Sequence, residues 1–124
     1  MDVMKAITGD DRVVANIHRA DYKAYRPGDA AYAGVEVLQL DGTWPFGLGF
    51  FILKMQAGSS SRAHEHTANE QFLVLEGELI DHDGTVYRAG DFVLLKKGTR
   101  HRSHTPGGCL LAVFIPEELN HSEG

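Results

Sequence analysis

His64, His66 and Glu70 put three metal-ligating side chains within seven residues, inside the stretch from Gly58 to Gly77. Residues two apart on a β-strand point to the same face. His64 and His66 therefore share one face, and Ala63, Glu65 and Thr67 take the other. A polar break, Thr67-Ala68-Asn69, separates them from Glu70 and the run Gln71-Phe72-Leu73-Val74-Leu75. That run has strand length and composition. A turn at Thr67–Asn69 would lay this second strand beside the first and carry Glu70 up to the two imidazoles. Two imidazoles and a carboxylate on one face make a facial metal site with open coordination positions. Taken alone, the His-x-His pattern is equally that of two surface histidines on a polar strand.

The elements that must position these side chains read as strands. Val35–Leu40 alternates in part and stops at Asp41-Gly42, and Phe50–Met55 is an apolar run. Glu78-Leu79-Ile80 and Thr85-Val86-Tyr87 flank Asp83-Gly84, a strong hairpin signal. Phe92–Leu95 and Cys109–Ile115 read as buried strands, and Val13–Ile17 as a short one. Tyr22 to Asp29 reads as an irregular arm ending in a Pro27-Gly28 turn. Trp44-Pro45-Phe46-Gly47 is a loop with two large aromatics, and the tail after Pro116 is expected to fray. No stretch has sustained helical periodicity. Many short strands with frequent turns predict an all-β sandwich or barrel.

With 124 residues the chain is one domain: an arm of about 1–33, a barrel of about 34–115 and a tail at 116–124. Net charge is −5 with no basic cluster, which argues against nucleic acid or an anionic membrane surface as partner. The N-terminus lacks the apolar core of a signal peptide, and no run reaches transmembrane length. The expected location is the cytoplasm. The lone cysteine, Cys109, opens an apolar strand and reads as a buried, unreactive thiol. His18, His82 and His121 read as solvated side chains.

Gly58, His64, His66, Glu70 and Gly77 match G-x5-H-x-H-x3-E-x6-G at every fixed position. That is the first motif of the cupins. Gly90, Gly98 and His101 match the second, G-x5-P-x-G-x2-H-x3-N, with Lys96 in place of the proline and Thr105 in place of the asparagine. The chain therefore resembles a cupin. The resemblance implies a double-stranded β-helix, or jelly roll, with the site in the barrel mouth. It makes His101 the fourth ligand by motif position. It also leaves two roles for Glu70, since some cupins with three histidines keep this carboxylate on a histidine N–H instead of the metal. Glu70 to Gly77, Tyr87 to Asp91 and Gly108 to Leu111 look like the ChrR-type subgroup, which is similar to acetylacetone-type dioxygenases. ChrR proteins carry an N-terminal zinc-binding domain that contacts a sigma factor. Residues ahead of this barrel contain no cysteine, so a sigma-binding role is not expected.

Parity assigns the remaining side chains. Phe72 and Val74 should point inward with Glu70, as should Phe51, Leu53 and Met55, giving an apolar pocket for a small-molecule ligand. Ser103 should share the face of His101, leaving His104 outward. Arg62 has the parity of His64 and His66. It is either a substrate anchor at the mouth or a rim arginine in solvent. Phe50, Ile52, Leu73, Leu75, Phe92 and Leu94 fall on outer faces, more apolar surface than a soluble monomer usually leaves together. Either residues 1–30 or a second subunit must cover them, and a two-fold homodimer is expected.

The resemblance implies a mononuclear metal-dependent dioxygenase holding Fe(II), with Zn, Mn, Ni or Cu as alternatives. Its substrate would be a small diketone or an aromatic, enolisable molecule. The competing reading is a metal-dependent binding or sensing module of the ChrR type, without turnover.

Overall fold

Short apolar runs and turn residues alternate along the chain, and nearly every run becomes a strand. A computed structural model describes residues 3–27, 32–118 and the backbone of 120–121. The strands are β1 (Lys23–Ala24), β2 (Val35–Leu38), β3 (Gly49–Met55), β4 (Ser59–Ser60), β5 (His64–Glu65) and β6 (Glu70–Asp81). They continue with β7 (Val86–Arg88), β8 (Phe92–Leu95), β9 (Arg100–His101), β10 (Ser103–Thr105), β11 (Cys109–Ile115) and β12 (Asn120–His121). A 3-10 turn spans Gly9–Asp11, and no α-helix forms among the described residues. None of their helices is long and apolar enough to cross a membrane.

The main sheet runs β1-β2-β3-β11-β6-β10-β4, with β7 and β8 also paired to β6, and a smaller sheet runs β12-β5-β9. The spine is β6. Its first part pairs with β11 and β8, and its second part with β7 and β10. A strand that serves two walls has to bend, and it does so at Gly77. There φ is 79°, and a Cβ would fall inside the carbonyl oxygen of Gly108, so only glycine fits. Just before the bend the register slips: Leu111 faces Val74 and Leu110 faces Glu76, leaving Leu75 as the extra residue of a bulge. The curled sheet closes into the double-stranded β-helix that the cupin likeness implies.

The inward positions match the parity. One row of strand neighbours is Val37, Leu53, Leu111 and Val74, and the next is Phe51, Val113, Phe72 and Val93. Phe51, Met55, Phe72 and Val74 are buried, and Leu53 packs half-buried against them. Burying each large apolar side chain is worth about 1.5–3 kcal/mol, so these rows hold the walls on which the site is built.

Three expectations are corrected. First, β5 and β6 are not neighbours. His64 and Glu65 pair with β9 and β12, while β6 lies in the main sheet, so Thr67–Asn69 is a corner between walls and not a hairpin. Second, Val13–Ile17 forms no strand, and Val13 and Val14 stay exposed. Strand propensity without a partner strand does not make a strand. Third, the expected fraying gives way to pairing at β12, which lies against β5, and Thr67 Oγ1 donates to Glu118 O at 2.7 Å. Residues 119 and 122–124, and the Gly28-Asp29 half of the expected turn, lie outside the described residues.

On the outer face, Ile52, Ala112, Leu73 and Phe92 form one row of strand neighbours, and Phe50, Phe114, Gln71 and Leu94 the next. Phe50 is 62% exposed and Phe92 70%. The N-terminal segment covers only the neighbouring row of this face, Glu36, Lys54, Leu110 and Glu76: His18 Nε2 meets Glu76 at 3.1 Å, and Lys54 Nζ stands 5.4 Å from the Tyr22 ring centre.

Candidate metal centre

Four elements deliver the site. His64 and His101 are direct partners across β5 and β9. His66 follows β5, and its backbone is locked to the next turn: its N–H donates to Thr99 O, and Gly98 N–H donates to its carbonyl. Gly98 can make that turn because it holds φ at 93°. Glu70 is the first residue of β6. All four side chains are buried, and their ligand atoms lie within 4.8 Å of one another.

The hydrogen bonds on the far side of each ring decide which nitrogen is free. His64 Nδ1 is 2.9 Å from Arg62 O, a carbonyl that can only accept, so Nδ1 carries the proton. His66 Nδ1 is 2.8 Å from Thr99 Oγ1, whose own hydrogen goes to Lys96 O, so here too Nδ1 donates. His101 Nδ1 donates to Asp81 Oδ1 at 2.9 Å. Each neutral ring therefore presents a bare Nε2 lone pair to the centre. Those lone pairs collide: His64 Nε2 faces His101 Nε2 at 2.9 Å, and His66 Nε2 faces Glu70 Oε1 at 2.8 Å. A cation among them removes the repulsion. Extra protons would leave charged imidazoliums in a buried space. One divalent ion satisfies all four donors, so the residues present fit a metal.

Beside the site lies a cavity of about 60 Å³, lined by His64, Glu70 and His101 on one side and by Phe51, Phe72 and Leu111 on the other. It has room for roughly four waters or an organic molecule of that bulk. Tyr25 and Tyr32 also line it, packed edge to face with ring centres 5.3 Å apart. Burial pushes both phenols above their ordinary range, and Tyr32 and Glu70 push Tyr25 further. Both remain protonated and able to donate.

The other predicted residues divide clearly. Ser103 is buried, on the face of His101, and His104 is exposed. Arg62 lies in a break between β4 and β5, not on a continuous strand. Its guanidinium stands 4.9 Å from the Tyr32 ring centre and lines the cleft next door to the cavity. Cys109 is buried, and burial pushes its thiol up. Thr105, at the motif's asparagine position, is fully buried and donates to Glu78 O at 2.6 Å. Sequence reasoning missed Asp81, Thr99, Tyr25 and Tyr32 as neighbours of the site. Only Asp81 had a local signal, as the last residue before a hairpin turn. The tyrosines sit in a stretch with no periodicity.

The ChrR cupin-like domain family matches residues 10–116. The chain belongs to that family. No curated protein matches this cupin in sequence. Among solved structures it is similar to an acetylacetone dioxygenase from Acinetobacter johnsonii, at 18% identity and a TM-score of 0.69, covering 99% of this chain and 85% of that one. It is similar to the polyketide cyclase RemF from Streptomyces resistomycificus, at 21% identity and TM-score 0.64, covering 90% and 87%. It is also similar to a chain of Rhodobacter sphaeroides SigE in complex with the anti-sigma ChrR, at 20% identity and TM-score 0.61, covering 79% and 50%. At such identities the likeness fixes the ChrR-like cupin's fold and nothing finer.

Proposed function

We propose that His64, His66, Glu70 and His101 hold one divalent metal ion per chain, and that the centre serves a non-haem dioxygenase acting on a small diketone or aromatic, enolisable substrate. The observation that carries the reading is the set of four converging lone pairs, with every histidine Nδ1 already engaged on the far side. Fe(II) is the favoured ion, with Zn, Mn, Ni or Cu as alternatives, since imidazole suits them all. Bound Fe(II) would supply the redox chemistry. The chain's own residues do the rest. Phe51, Phe72 and Leu111 exclude water from the cavity. The Tyr25 and Tyr32 phenols donate to substrate oxygens and so favour the enolate form. Arg62, standing over Tyr32, is the proposed anchor for an anionic group at the mouth.

A homodimer goes with this reading. The described N-terminal residues leave Phe50, Phe92 and Leu94 exposed, which favours a second copy of the chain as the cover of the outer face.

The ChrR likeness supports a second reading, a metal-dependent binding or sensing module without turnover. Oxygen uptake by the Fe(II)-loaded protein with β-diketones and hydroxylated aromatic ketones separates the two. Turnover of any of them supports the dioxygenase. Binding of the same compounds with no oxygen uptake favours the module.

A further inference from the structure

The three histidines differ in what holds them from behind. His64 and His66 donate from Nδ1 to neutral oxygens of Arg62 and Thr99. His101 donates to a carboxylate, Asp81, which is 6% exposed. The second oxygen of Asp81 accepts the Tyr87 hydroxyl at 2.5 Å. Tyr87 is itself fixed, paired with Leu79 across β6 and β7 and packed edge-on against Phe72 with ring centres 5.4 Å apart. The Asp81 backbone is held as well: its N–H donates to Thr85 O, and its carbonyl accepts from Gly84 N–H. A carboxylate this deep is costly unless its charge is used or neutralised.

We propose that Asp81, clamped by Tyr87, is a positioning residue for the metal centre. It holds His101 with Nε2 toward the ion and places a second negative charge directly behind that ligand. The inference rests on the metal reading above. The charge count supports it. Glu70 and Asp81 together bring two negative charges to three neutral imidazoles, which balances a divalent cation in a buried site. A carboxylate on the outer nitrogen of a ligating histidine both orients the ring and raises its basicity. A purely structural role, as a staple of the β6–β7 hairpin, would explain the Tyr87 bond but not the bond to His101.

The test uses the whole 124-residue chain, stripped of metal and reloaded. Zn(II) affinity is measured against a competing chelator, and Co(II) serves as a spectroscopic probe of ligand field. Asp81→Asn keeps the shape and removes the charge; Tyr87→Phe keeps the carboxylate and removes its clamp. Asp81→Asn should lose about 10–100-fold in Zn(II) affinity and shift the Co(II) visible bands, with the melting point of the metal-free protein little changed. Tyr87→Phe should shift both in the same direction by less. Wild-type affinity and an unchanged Co(II) spectrum in Asp81→Asn would overturn the proposal. So would a loss of affinity fully matched by loss of metal-free stability, which is what a hairpin staple would give. If Asp81→Asn does not fold, Tyr87→Phe decides: an unshifted Co(II) spectrum overturns the proposal, and a shifted one supports it. Wild-type protein that binds neither ion would bring down the metal reading itself, a result distinct from all of these.

Discussion

Replacing Gly77 by alanine tests how the barrel is bent around its site. At Gly77 φ is 79°, outside the range that L side chains readily adopt. That strain alone costs about 1–2 kcal/mol. A Cβ there would also lie 2.9 Å from Cys109 Cα and 3.0 Å from the Gly108 carbonyl carbon, and closer still to its oxygen. These are backbone atoms at the entry to β11, so they cannot turn aside like the end of a side chain. Overpacking of this kind adds roughly 1–3 kcal/mol. Gly90 provides the internal control, with φ at 95° and nothing within 4 Å of a built Cβ. Gly90→Ala should therefore show the strain alone, and Gly77→Ala the strain plus the clash. For a domain of this size 1 kcal/mol moves the melting midpoint by roughly 3–5 °C. The midpoints of the two variants should then differ by roughly 3–15 °C, Gly77→Ala being the lower. Denaturant titration and calorimetry of the metal-free proteins provide the assay. Equal destabilisation in the two variants would refute the argument that the approach of β6 to the Gly108 carbonyl demands glycine.

The remaining predictions concern the site and the surface. His64→Ala combined with His66→Ala should abolish metal uptake and His104→Ala should not, read as metal per chain; full stoichiometry in the double variant would refute the ligand assignment. Arg62→Ala should weaken anionic ligands by roughly 1–3 kcal/mol, the scale of a charged hydrogen bond, without loss of metal, and unchanged affinity would return Arg62 to the rim. Light scattering should give the mass of two chains, reduced toward one in Leu73→Lys; a monomeric mass for the wild type at high micromolar concentration would refute the dimer. Burial pushes the Cys109 thiol up, against a smaller lowering by the Thr105 hydroxyl, so less thiolate is present in the folded protein than in the free residue at any pH near 8. A thiol reagent should modify Cys109 at an appreciable rate only in denaturant, and rapid reaction of the folded protein would contradict its burial.

The period-two alternation of a strand is a property of the covalent chain, so it survives whatever the strand pairs with. That is why Phe51, Phe72 and Val74 against Phe50, Leu73 and Phe92, and Ser103 against His104, could be sorted into faces from sequence alone. Turn chemistry is equally local, and Asp83-Gly84 announced the hairpin between β6 and β7 without any partner in view. The approach of His64, His66 and Glu70 was legible for the same reason, because seven residues leave the chain little choice. Which wall each strand joins is a different kind of question, decided by pairings between residues far apart. Proximity in sequence suggested β5 beside β6, yet β5 pairs with β9. No sequence period marks that choice. Asp81 reaches His101 across twenty residues only because β6 bends at Gly77 and carries its far end to the second wall. Tyr25 and Tyr32 enter the cavity from an arm tied down by the β1–β2 pairing and by backbone hydrogen bonds from Tyr25 N–H to Val35 O and from Tyr32 N–H to Tyr25 O, which no local pattern announces. The sequence by itself thus determined which side chains share a face. The closure of the barrel decided which faces meet, because non-local strand pairing and burial, unlike parity, depend on the whole chain at once.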